Sequence, residues 1–111
     1  MTDRLFVPLN TMAYRWFDSG RKTVELRGYG GQYTEKHVYT GRDVELRRGY
    51  TEGDSLWGKV GKVTIGSLDS ILRSVPYTSI IPTATSKKEM KRICAEIMGV
   101  KEKYIAFKVV R

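Results

Sequence analysis

Two periodicities alternate along the chain. Leu5-Phe6-Val7 is a short apolar run closed by Pro8 and reads as a strand. Asn10 or Thr11 then offers a side-chain oxygen to a helix N-terminus. Ala13, Trp16 and Phe17 follow at the i, i+3, i+4 spacing of a buried helical face. Gly20 stands where helices stop, because glycine tolerates the left-handed backbone. The pattern predicts a helix over 11–19 with Trp16 and Phe17 in the core. From 22 to 27 the period becomes two. Val24 and Leu26 face the core, while Thr23, Glu25 and Arg27 share the opposite face. Lys22 has the phase of Val24 and is expected to reach over the mouth of the fold.

Residues 28–36 are polar and rich in Gly and Tyr, a loop. Residues 37–39 are expected to add a short strand, and 43–48 alternate again with Val44 and Leu46 inward. The stretch 56–65 is the longest strand. Leu56, Gly58 and Val60 lie in one phase, Val63 and Ile65 in the other. One extra residue near Gly61, a β-bulge, repairs the slip and bends the strand. Ser67 can cap a helix over 68–75, which Pro76 follows, and 76–85 read as loop. Ser86 and Glu89 have the spacing of a capping box. Met90, Ile93, Cys94 and Ile97 then mark one helical face, ending at Gly99. The last strand, 104–111, places Ile105, Phe107 and Val109 in one phase. This order predicts an α+β fold: a small, mostly antiparallel β-barrel flanked by short helices. No repeat or linker divides the chain, so one domain over residues 1–111 is expected.

Charge adds a direction. The net charge is +8, and it is uneven. Residues 1–55 carry 9 basic and 8 acidic side chains, residues 56–111 carry 11 and 4. Such a field attracts polyanions, and it also serves solubility alone. The single cysteine excludes an intrachain disulfide, and one Cys with one His does not make a zinc site. No cofactor is expected. No apolar run approaches a membrane span, and the start lacks the apolar core of a secretory leader, so the cytoplasm is the default location.

The most specific segment is Gly20-Arg21-Lys22-Thr23-Val24-Glu25-Leu26-Arg27, which fits G-x-K-x-x-E-x-R after a first helix. It resembles the signature of ASCH domains, a family similar to PUA domains in fold. Gly41-Arg42-Asp43 stands where the family has a Gly-Asp turn into a strand, with Arg42 inserted. The resemblance implies a PUA-like barrel with a cleft beside the motif, and an RNA or nucleic-acid ligand. Some small bacterial members act as amidohydrolases on N4-acetylcytidine, through the motif lysine, a threonine on the same strand and a distant glutamate. Carried over, the lysine is Lys22, the threonine position holds Glu25, and the glutamate falls near Thr83. Two of the three residues differ.

The residues themselves permit several chemistries. Lys22 can meet a phosphate or, if desolvated, act as base or nucleophile. Glu25 and Arg27 on one face form an ion pair, either a cleft floor or a plain surface pair. Thr23 can donate a hydrogen bond there, and Arg21 adds charge. Tyr29, Tyr33 and Tyr39 either stack bases or pack the barrel end. Lys87, Lys88 and Lys91, with Arg92, make a basic arc that tracks phosphates or is simply solvated. His37 is given no role, and Cys94 packs. The expected partner is RNA, another single-stranded nucleic acid or a nucleoside-like small molecule. An amidohydrolase with Lys22 and Glu25 as catalytic pair, and a metal-independent ribonuclease, are the enzymatic alternatives.

Overall fold

The computed structural model describes residues 3–50 and 53–111. In chain order the elements are β1 (Leu5–Leu9), α1 (Thr11–Asp18), β2 (Val24–Gly28), β3 (Asp43–Arg48) and β4 (Ser55–Gly66). They continue with α2 (Leu68–Leu72), a 3₁₀ turn (Tyr77–Ser79), α3 (Lys87–Met98) and β5 (Tyr104–Val110). The strands form one sheet in the order β1-β3-β4-β5-β2. The β1–β3 pair is parallel and the other pairs are antiparallel. The sheet curls into a half-barrel, so the α+β barrel with short helices is found.

The curl has a local cause. The β4–β5 register shifts between Val60 and Val63, at Gly61, so Val60 opposes Val109 and Val63 opposes Phe107 on the same concave face. The bulge thus sends both valines inward although they are three residues apart. Gly58 lets β5 approach closely, because a Cβ there would sit 2.6 Å from the Val110 carbonyl oxygen.

Two cores result. The barrel interior holds Leu5, Val7, Val44, Leu46, Ile105, Phe107 and their neighbours, closed at one end by Tyr14 and Phe17 of α1. The second lies outside the sheet, where Val24, Leu26 and Ala106 meet Ile71, Met90 and Cys94 from the helices. Both faces of β2 are therefore covered. Residues 37–39 are not a strand. Val38 is buried in the barrel core while Tyr39 is exposed, and the segment turns as the His37 and Val38 N–H groups donate to the Thr34 carbonyl and the Arg42 N–H to that of Tyr39. The caps are Asn10, Ser67 and Ser86, each accepting a backbone N–H from the first turn.

The sheet does not close through backbone pairing between its edges, β1 and β2. Side chains bridge them instead. Arg27 donates to the Pro8 carbonyl at 2.7 Å and Gln32 to the Phe6 carbonyl at 2.9 Å. β1 runs through Pro8 rather than ending before it. Proline is tolerated there because an edge strand does not need that N–H.

Glu45 sits on the convex face of β3 yet is only 3% exposed. It accepts hydrogen bonds from Arg4, Arg47 and Ser55 at 2.6–2.9 Å. Burial alone pushes its carboxyl up, but Ser55 and the two guanidinium groups outweigh it and bring the pKa to about 2. A carboxyl depressed from 4.5 stabilises the fold above that value and loses the contribution as pH falls towards about 2. Glu45→Gln is expected to cost about 2 kcal/mol at neutral pH. It should also flatten the acid limb of a Tm-against-pH curve. A variant whose Tm follows the parent through that window would speak against this role.

Candidate functional site

The motif begins at the end of α1. Gly20 has φ +81°, the left-handed conformation that lets the chain leave the helix and turn back. Lys22 and Thr23 precede the first residue of β2, so strand alternation does not govern them. Their backbones are held separately: the Lys22 N–H donates to the Trp16 carbonyl, and the Thr23 N–H to that of Ser79. The result reverses the phase expected from sequence. Lys22 turns in beside Glu25, and Thr23 turns away.

Lys22 is 5% exposed. Its Nζ lies 2.6 Å from the Ile80 carbonyl oxygen, 3.3 Å from Glu25 Oε1 and 5.4 Å from the centre of the Phe17 ring. Glu25 Oε2 accepts from Arg27 Nε at 2.9 Å and Nη2 at 2.7 Å. Arg27 also reaches Tyr33 Oη at 3.1 Å. The group is a buried chain of two cations around one carboxylate. Such charges persist away from water only when paired and hydrogen-bonded.

Burial pushes the Glu25 carboxyl up, but Lys22 and Arg27 together overcome it and hold the pKa below the usual value. Burial pulls the Lys22 ammonium down, and Glu25 offsets this only in part, with Arg27 acting against it. The asymmetry follows from the count. The carboxylate has two cations, whereas Lys22 has one anion and a like charge nearby. For Arg27, burial acts downward but the Glu25 charge prevails, so its pKa is raised.

The group lines a cavity of about 460 Å³. The cavity runs along the free edge of β2, between α1 and α3. Its walls are mostly apolar: Trp16 and Met12 from α1, Ile80 and Ile81 from the segment before α3, and Cys94 and Ile97 from α3. A pocket of this size with few convergent polar groups is the form small-ligand sites take. The polar side chains among its lining retain bonding capacity. An ammonium has three N–H donors, and Ile80 and Glu25 occupy two. A carboxylate has about four acceptor positions, and Lys22 with Arg27 occupies three. One donor beside one acceptor matches a carbonyl next to an N–H, as on the edge of a nucleobase or an amide.

The other residues singled out in the sequence fall elsewhere. Thr23 lines a separate hollow with Lys62 and Lys108. Arg21 is exposed and makes no ion pair among the described residues. Thr83 is exposed and does not line the cavity, so it does not face Lys22 as the distant glutamate of the amidohydrolase pattern would. Tyr33 stacks on Phe107 at 6.5 Å, closing the barrel beside Arg27. Tyr29 bonds to Glu35, lies under Lys103 and is partly buried against the barrel core. Lys87, Lys88 and Lys91 surround another hollow, beside α2. Trp16 was expected in the core. It is only partly buried and forms a cavity wall, because Tyr14 and Phe17 take the barrel-facing side of α1. Cys94 packs as expected, and burial raises its thiol pKa to about 11, so it stays protonated at neutral pH. Ile80 and Ile81 escaped the sequence reading because they lie in a proline-flanked loop. Two adjacent isoleucines in such a loop were the available signal.

No family model matches the sequence, and no curated protein matches it. Solved structures do match its fold. The chain aligns with the hypothetical protein PH0355 at a TM-score of 0.76 and 17% identity, over 95% of both chains. It aligns with the ASCH protein of Zymomonas mobilis at 0.64 and 14% identity, over 96% of this chain and 66% of that one. A variant of the latter protein aligns at 0.65 and 14% identity, over 100% and 71%. The likeness is one of fold, and it agrees with the resemblance carried by residues 20–27.

Proposed function

We propose that this chain, which has the fold of an ASCH domain, holds RNA or another nucleic acid by seating one base in the Lys22 cavity. The observation that carries the reading is the buried Lys22–Glu25–Arg27 group lining an apolar-walled cavity. A base is flat and largely apolar on its faces, with donors and acceptors on its edge. Trp16, Ile81 and Ile97 suit the faces, while Lys22 and Glu25 suit the edge. The charge excess of the chain favours a ligand that carries phosphates.

The chain has two tryptophans, so Trp57→Phe leaves Trp16 as the sole indole reporter. Trp57 is 53% exposed on the convex face, and its replacement should leave the cavity intact. In this background, oligoribonucleotides and modified nucleosides are expected to change Trp16 fluorescence saturably. No response to any of them, with a folded protein, would refute the reading.

One observation favours an amidohydrolase as the second reading. Burial makes the Lys22 amine easier to deprotonate, and it adjoins a cavity able to hold an acylated base. On that reading N4-acetylcytidine is turned over by the parent and not by Lys22→Met. Binding without any product keeps the chain a binding module.

A further inference from the structure

A second charged region lies on the other flank of α3. The helix turns Ile93 and Ile97 to the Lys22 cavity, and Lys87 and Lys91 to a hollow of about 390 Å³ against α2. That hollow is lined by Asp69, Leu72, Arg73, Lys87, Lys88 and Lys91. Lys91 is engaged by Asp69 at 2.6 Å. Arg73, Lys87 and Lys88 form no salt bridge among the described residues, although Arg73 and Lys87 feel the Asp69 carboxylate. A neighbouring hollow of about 240 Å³ opens where α2 ends and the chain crosses the convex face of the sheet. Lys62 and Lys108 stand there, equally without salt bridges, beside Thr64, Ser74 and Ser79. The two hollows border consecutive residues, since Arg73 lines one and Ser74 the other.

Five cations without salt bridges gather around two adjacent concavities and repel one another, and among the described lining residues only Asp69, already bonded to Lys91, offsets them. An ordinary solvated surface disperses its charge and intersperses both signs. The basic groups here are joined by hydroxyls, which is the mixture that holds phosphate oxygens. No aromatic side chain lines either hollow, so nothing there stacks a base.

We propose that these two hollows form a track for the phosphate backbone of a single-stranded nucleic acid, separate from the Lys22 cavity and indifferent to base identity. The proposal deepens the nucleic-acid reading above and rests on it for the ligand class. It names Arg73, Lys62 and Lys108, none of which the sequence singled out, together with Lys87 and Lys88.

Three double variants test it: Arg73→Ala with Lys88→Ala, Lys62→Ala with Lys108→Ala, and, as a charge-matched control elsewhere, Arg15→Ala with Lys36→Ala. The probe is a single-stranded oligoribonucleotide of mixed sequence, titrated from about 50 to about 200 mM salt. Each of the first two pairs should weaken binding severalfold and lower the slope of log affinity against log salt by about 1.4, the effect of two phosphate contacts on a single strand. The control should keep the parent slope. Nucleoside binding, read at Trp16, should be unchanged in all three. Parent slopes in both track variants would overturn the proposal, as would an equal loss in the control. Failure of the cavity reading looks different. There Lys22→Met would leave oligonucleotide and nucleoside binding untouched, while the track variants still show the lowered salt slope.

Discussion

Glu25→Ala is expected to destabilise the protein by about 3–5 kcal/mol, the usual cost of stranding a buried charge. Among the described residues the carboxylate is the only anion touching both Lys22 and Arg27, and Lys22 has almost no access to water. Without Glu25, the Lys22 amine is pushed further towards its neutral form. Its folded pKa then lies well below 10.5, the value it regains on unfolding. The unfolded chain therefore binds more protons, and stability rises with pH across the interval between the two values. Denaturation of Glu25→Ala should accordingly become harder as pH climbs towards about 10. Adding Lys22→Met to Glu25→Ala should recover a good part of the loss, because no lysine remains to be stranded. If the double variant is as unstable as the sum of the single ones, the two groups do not act as a pair.

Phe107→Ala should cost about 3–5 kcal/mol, the range for emptying a buried aromatic site. The ring is fully buried at the centre of the barrel, opposite Glu25 on β2 and Val63 on β4. It also supports Tyr33, which in turn touches Arg27. A small domain has a total stability of about 5–15 kcal/mol, so this loss leaves little reserve. Ligand affinity should fall with it, since the wall beneath the ion group loses its backing. Val110→Ala, on the same strand but half exposed, should shift the midpoint of denaturation hardly at all. Similar midpoints for the two variants would contradict the placement of the barrel core.

Most elements and the starts of the helices were legible because their signals are local, whereas α2 stops at Leu72 instead of reaching Val75 and β1 continues through Pro8 to Leu9. Asn10, Ser67 and Ser86 cap the helices they precede, and the phase slip around Gly61 is the bulge. The acid and the guanidinium of β2 share a face, as alternation requires. The partners of that face were not legible. The Lys22 ammonium bonds to a carbonyl 58 residues away, and no periodicity records such a contact. Helical spacing showed that Trp16 and Cys94 belong to packed faces. It did not show that the faces bound a cavity, since a cavity wall and a core contact need the same apolar residues. Residues 37–39 have strand-like composition, but Val38 plugs the barrel and the His37 and Val38 N–H groups are taken by the Thr34 carbonyl, so the segment turns instead of joining the sheet. The same limit applies to the parallel placement of β1 against β3, which depends on α1 and β2 intervening.

Isoleucine methyl spectra offer the most direct check on where the ligand lies. Ile80, Ile81, Ile93 and Ile97 border the hollow beside Lys22, whereas Ile65 and Ile71 do not. On adding a nucleoside or a short RNA, the first four signals should move together, with Ile65 and Ile71 still, and Lys22→Met should abolish the response without unfolding. Movement confined to Ile65 or Ile71, or a full response in Lys22→Met, would place the guest elsewhere and remove the foundation of this account.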